Sequence, residues 1–107
     1  MISIFETEDE SELKKKLSAS KKTLALFYAS WCHDSLSFLP IFDANCQGSK
    51  CGIIKVKIDD DENPIWDSFK IDVVPTLVLF EKGKEKMRAE TKGGRILCKK
   101  DVLSFLK

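Results

Sequence analysis

Apolar residues along this chain fall into short unbroken runs separated by stripes at helical spacing. Thr23-Leu24-Ala25-Leu26-Phe27-Tyr28-Ala29 is a continuous run, too short for a typical helix, and predicts a strand buried on both faces. Gly52–Ile58 predicts a second strand and Thr76–Phe80 a third buried one. Between them the spacing changes to three and four. Leu13 and Leu17 predict a solvated helix over Asp9–Ser18, with Glu8, Asp9, Glu10 and Glu12 leading and Lys14, Lys15 and Lys16 following, as the helix dipole prefers. Leu36, Leu39, Phe42 and Cys46 predict a helix over Asp34–Cys46, kinked at Pro40 and ended by Gly48. Asn63-Pro64 reads as an N-cap and first helical position opening a short helix through Phe69. Lys82-Gly83 is a turn into a charged strand, Lys84–Thr91, which Gly93-Gly94 breaks. Ile96–Lys107 closes the chain as an amphipathic helix with Val102, Leu103, Phe105 and Leu106 facing inward, and Met1–Phe5 alternates weakly as an edge strand.

The predicted order is β-α-β-α-β-α-β-β-α. Strands alternating with helices require parallel crossovers, and the last β-β pair requires an antiparallel hairpin. The expected class is therefore α/β, a mixed central sheet covered by helices on both faces. At 107 residues the chain reads as one domain, 1–107, with 43% hydrophobic residues and no internal repeat or linker.

Charge narrows the partners. Eighteen basic residues nearly balance seventeen acidic ones, leaving a formal charge of +1 and no reason to expect nucleic acid. No apolar run reaches the roughly 18 residues of a membrane span, and Met1–Glu8 lacks the pattern of a signal peptide. A soluble monomer in the cytoplasm, without a cofactor, is the expectation. The four cysteines, Cys32, Cys46, Cys51 and Cys98, do not read as a disulfide scaffold, because the chain has enough apolar residues for a core.

Cys32 carries the chemistry. It falls where a buried strand ends and a helix begins, and the first helical turn presents free N–H groups and partial positive charge. A thiolate there is stabilised and becomes a usable nucleophile. Trp31 adds a flat apolar surface beside it, and the His33-Asp34-Ser35 stretch that follows is of an exposed type, which argues against a buried structural cysteine. His33 in its charged form would favour the thiolate and Asp34 would oppose it.

Phe27-Tyr28-Ala29-Ser30-Trp31-Cys32 resembles the strand and active-site entry of thioredoxins and protein disulfide isomerase domains. Pro40 matches that family's kink proline, Ile58-Asp59 with Asn63-Pro64 resembles its third strand end and next helix start, and Phe80 with Lys82-Gly83 resembles its last hairpin. Val73-Val74-Pro75-Thr76 resembles its cis-proline loop. The likeness spans essentially the whole chain. It implies a thioredoxin fold, Cys32 as the attacking thiolate, a cis Pro75, and substrate binding by Val74, Pro75, Thr76 and Gly93, with Val74 backbone pairing to an extended segment.

Two departures from that pattern change the chemistry. The family's resolving cysteine is replaced by Ser35, whose hydroxyl cannot attack a mixed disulfide but would hydrogen-bond the thiolate. The family's buried acid, six residues before Cys32, is replaced by Leu26. Cys46 lies at the far end of the predicted helix, roughly 20 Å away, and Cys51 beyond it, whereas a disulfide needs Cα atoms within about 7 Å. Cys46 and Cys51 read as two separate thiols rather than a disulfide or metal pair, and Asp59-Asp60-Asp61-Glu62 reads as a solvated turn rather than a calcium loop.

The leading reading is a monothiol exchange protein with Cys32 and Ser35 as its catalytic pair. It would act on protein disulfides, protein thiols or glutathione-like small thiols in isomerisation or deglutathionylation, and be poor at net disulfide reduction. An external thiol or reductant would complete its cycle. The alternatives are a non-catalytic peptide-binding module using Trp31, Val74, Pro75 and Gly93-Gly94, a glutaredoxin-like or iron–sulfur monothiol protein, and a dithiol protein whose second cysteine was exchanged for Ser35.

Overall fold

The computed structural model describes residues 4–46, 51–92 and 95–106. Among the described residues nine elements follow one another: β1 (Phe5–Thr7), α1 (Glu10–Ala19), β2 (Lys22–Tyr28), α2 (His33–Asn45), β3 (Gly52–Lys57), α3 (Ile65–Ser68), β4 (Thr76–Glu81), β5 (Lys84–Glu90) and α4 (Lys99–Phe105). The sheet order is β1-β3-β2-β4-β5. β1, β3 and β2 run parallel, while β4 and β5 join antiparallel. The continuous apolar run of β2 thus lies at the centre, where both of its faces must be covered.

The period of two along β2 sorts the core. Ala25, Phe27 and Ala29 share one apolar layer with Leu13 and Leu17 of α1, Ile65 of α3, and Ile54, Val56, Val78 and Phe80 of the flanking strands. Leu24, Leu26 and Tyr28 share the other with Phe38 and Phe42 of α2, Cys46, Val102 and Phe105 of α4, and Leu77 and Leu79. Helices therefore cover both faces of the mixed sheet, as the alternation of elements requires. Asp9 caps α1, its carboxylate accepting the Glu12 N–H at 2.9 Å; before α3 the Asn63 side-chain Oδ1 accepts the Ile65 N–H at 2.9 Å, but the N-cap position falls at Pro64 rather than at Asn63 as expected.

Lys82 and Gly83, with φ of 54° and 82°, form the tight turn between β4 and β5. Two successive left-handed residues match the twist of a two-residue hairpin. A register shift between Leu79 and Phe80 leaves Lys86 as an extra residue in β5.

Several expectations need correction. The first strand begins at Phe5 rather than ending there, because Phe5–Thr7 is the segment that pairs with Ile54–Val56, and Met1–Ser3 lies outside the described residues. The inward stripe of α2 is Ser35, Phe38, Phe42 and Cys46, not one that starts at Leu36, which is 48% exposed. Counting back from Phe42 by four and then three reaches Phe38 and Ser35, which turns Leu36 outward. The last helix begins at Lys99 instead of Ile96, since Cys98 is extended (φ −143°) and the Asp101 carboxylate accepts its N–H at 2.9 Å. Ile96 (71%) and Leu103 (43%) face solvent, and the apolar anchors at this end are Leu97, Val102 and Phe105. Gly48, Gly93, Gly94 and Lys107 lie outside the described residues.

Candidate active site

Strand pairing brings the candidate segment together. Phe27 of β2 pairs with Thr76 of β4, and the strands are antiparallel, so residues after Phe27 and residues before Thr76 leave the sheet at the same end. Cys32, the N-cap of α2, is partly buried there with extended backbone (φ −98°, ψ 122°). Its N–H reaches Ala29 O at 3.2 Å, its carbonyl accepts the Leu36 N–H at 3.1 Å, and its Sγ lies 3.6 Å from Val74 O. The Val74–Pro75 peptide bond is cis. Thr76 is buried and turns its hydroxyl onto Val73 O at 2.7 Å, so its side chain does not face the sulfur's neighbourhood as a free donor.

Trp31 is 59% exposed beside Cys32, and its indole N–H donates to Asp59 O at 2.9 Å. His33 and Asp34 point to solvent on the first turn of α2. Ser35 behaves differently from expectation. It is fully buried, and its hydroxyl oxygen accepts the Ala29 N–H at 3.3 Å from within the turn that joins β2 to α2. The hydrogen bond of the Cys32 sulfur goes to Val74 instead. Leu26 is fully buried in the layer shared with α2 and α4.

The acidic run is not merely solvated. Asp59 Oδ1 accepts the Ser30 N–H at 2.7 Å, and Oδ2 accepts the Ser30 hydroxyl. Burial pushes the Asp59 carboxyl up, but the two bonds from Ser30 together with the Lys57 charge outweigh it and hold the group below the usual carboxylate range. The end of β3 is thereby pinned to the loop before Cys32, while Asp60, Asp61 and Glu62 lie further out along the run. Trp31 and these four acidic residues line an open depression of about 760 Å³.

On the other side, the edge strand straps the proline loop. Arg88 donates to Phe69 O at 2.7 Å and Lys70 O at 2.8 Å, Lys92 pairs with Asp72 at 2.7 Å, and Thr91 Oγ1 lies 3.3 Å from both Val74 O and Pro75 O. Thr91 belongs to no motif legible in the sequence, and Asp59 was legible only as a strand end opening a solvated acidic turn; their placement in space reveals their partners.

None of the four cysteines is in a disulfide. Cys46 caps the far end of the 13-residue α2, about 20 Å of helix from Cys32. Burial, with smaller contributions from Asp43 and Cys51, pushes its thiol up to about 12. Among the described residues, no three of His, Cys, Asp and Glu gather as metal ligands.

A family model described as Thioredoxin matches residues 4–106. The chain belongs to the thioredoxin family. As a member it is a redox protein of the thiol–disulfide exchange kind. A thioredoxin of Mycoplasmoides gallisepticum is 36% identical over 77 residues, covering 71% of this chain and 76% of its own length. A thioredoxin of Mycoplasma pneumoniae is 33% identical over 87 residues, covering 80% of this chain and 84% of its own. Among solved structures, a point mutant of the thioredoxin from Halobacterium salinarum superposes with a TM-score of 0.82 at 20% identity, over 97% of this chain and 88% of that one. Oxidised thioredoxin from Plasmodium falciparum gives 0.80 at 19% identity, over 98% and 100%. At those identities the superpositions speak for the fold. Among the described residues, no helix is long and apolar enough to cross a membrane.

Proposed function

We propose that this thioredoxin-family protein works as a monothiol. Cys32 attacks a disulfide, one sulfur of that disulfide leaves as a thiol, and the mixed disulfide on Cys32 waits for an external thiol to release it. The observation that carries the reading is Ser35: fully buried three residues after Cys32, with its oxygen engaged by Ala29 N–H. A dithiol cycle places the second sulfur at that position, and a hydroxyl there cannot attack the mixed disulfide as resolution requires. The length of α2 supports the same conclusion for Cys46. Leu26 supports it too, since a resolving thiol would need a proton acceptor nearby and this buried position offers none.

Residues 1–107 act as one such domain, a cytoplasmic monomer with Cys32 as its nucleophile, while Ser35 occupies the resolving position and accepts the Ala29 N–H. Protein disulfides or glutathione-like thiols are its substrates, and a separate thiol is its reductant. Val74 and Pro75 form the substrate-binding side, with Trp31, His33 and Asp34 around the sulfur; Thr76 supports that loop from within, its hydroxyl on Val73 O, and Gly93 lies outside the described residues.

Mass spectrometry after exposure to oxidised glutathione tests the reading. A single mixed disulfide at Cys32, absent in Cys32→Ser and removed by added thiol, is the expected result. Release of fully reduced product from a protein disulfide without any added thiol would overturn it.

A further inference from the structure

Two donors converge on one backbone carbonyl beside the reacting sulfur. Cys32 Sγ lies 3.6 Å from Val74 O, and Thr91 Oγ1 lies 3.3 Å from the same oxygen. Sulfur's larger radius makes the longer distance an ordinary S–H···O contact, and a carbonyl has two lone pairs, so both donors fit at once. The Thr91 hydroxyl also lies 3.3 Å from Pro75 O, so its single proton is shared between the two carbonyls.

The two contacts act on the sulfur in opposite senses. A bond from S–H to Val74 O favours the protonated sulfur. Once that proton passes to solvent, the thiolate faces the partial negative charge of the same oxygen. An O–H already directed at Val74 O draws off part of that charge, and it is present before and after the proton leaves. Thr91 stands one residue past the end of β5, whose Glu90 pairs with Thr76, while Lys92 and Arg88 on either side tie the strand to Asp72 and to the Phe69 and Lys70 carbonyls. The hydroxyl is therefore held in place.

We propose that Thr91 is a positioning residue for Cys32: its hydroxyl holds and partly neutralises the Val74 carbonyl so that the thiolate can form beside it. This rests on Cys32 being the nucleophile. Titratable groups on the elements around the sulfur are His33 and Asp34 on α2, Asp59 after β3, and the Asp72–Lys92 pair beside Thr91. All of them are retained in the variants compared, so a change between variants reports the hydroxyl.

The test is the pH dependence of Cys32 alkylation by iodoacetamide, read at the Cys32 peptide by mass spectrometry. In each event the proton goes to solvent, the sulfur bonds to carbon and iodide leaves. Thr91→Val, which keeps the branched shape, should slow labelling at pH 7 about two- to threefold and move the half-maximal pH up by about 0.3 to 0.5 unit, less than the worth of a full hydrogen bond because the proton is shared and acts through the carbonyl. The limiting alkaline rate should be kept, Thr91→Ser should restore the profile, and Thr91→Ala should repeat the shift should Thr91→Val fold poorly. Superimposed profiles, or a uniform loss of rate at every pH, would overturn the proposal while leaving Cys32 as nucleophile. A native Cys32 that labels more slowly than an unfolded thiol throughout would instead remove the function it rests on.

Discussion

Ser35→Cys places a thiol where the proposed cycle lacks one, and the structure fixes what that change costs. In the reduced variant the Ala29 N–H loses a buried oxygen acceptor and faces a weaker sulfur, a loss of about 1 kcal/mol. The larger atom must also fit a site with no exposed surface, so the total destabilisation is about 1–2 kcal/mol. Oxidation works the other way. A disulfide from Cys32 closes a loop of about four residues, for which chain entropy gives about 2 kcal/mol. The oxidised variant should therefore unfold close to the Ser35 protein, and the reduced variant about 0.5–1 M earlier in urea. Parallel urea titrations with and without reductant read both numbers. In a single turnover without small thiol, the Ser35 protein should stop at a mixed disulfide and the variant should release reduced substrate. A variant that forms no internal disulfide, or whose reduced form unfolds at the Ser35 midpoint, would refute the placement of residue 35.

Three further outcomes follow from the packing and the charges. Phe42→Ala, at a fully buried position, should cost about 3–5 kcal/mol. Leu103→Ala on the solvent side of α4 should cost under about 1 kcal/mol, and equal losses in chemical denaturation would contradict the assigned helix face. Asp59 is held below the ordinary carboxylate range, so its contribution is complete above the unfolded carboxyl value and is lost as pH falls through the lower folded one. Asp59→Asn should narrow the gap in urea midpoint between neutral and strongly acid solution. Cys46, raised to about 12, stays protonated in the fold while the unfolded thiol ionises from about pH 8.5. Stability should thus decline as pH rises from there, Cys46→Ala should flatten that decline between about pH 8 and 9.5, and native Cys46 should resist alkylation in this window.

The strands were legible because burial on two faces leaves a run that no amphipathic helix produces, as in Thr23–Ala29. Cys32 was legible because an apolar strand gives way there to polar residues. The stripe of α2 was harder to read: its outermost buried position is a serine, and apolar spacing alone assigned that place to Leu36. The start of α4 was missed because the capping carboxylate of Asp101 acts on a cysteine, a residue seldom found at that cap. The inward turn of Asp59 was missed for another reason. A run of four acidic residues carries no mark of which carboxylate turns inward, and that choice is made by Ser30, twenty-nine positions earlier.

The sheet has two open borders, and they differ. Among the described residues β1 offers three, too few to template a neighbouring chain. β5 offers seven, yet Lys84, Glu85 and Lys86 stand exposed along it and the extra residue at Lys86 breaks the regular ladder. A second molecule laid against this border would have to bury those charges and match an interrupted row of hydrogen bonds. The turn and bulge that shape the hairpin thereby also guard against edge-to-edge aggregation, which a protein that carries a partly buried thiol and an exposed tryptophan at one end must avoid if crowded copies are to remain separate.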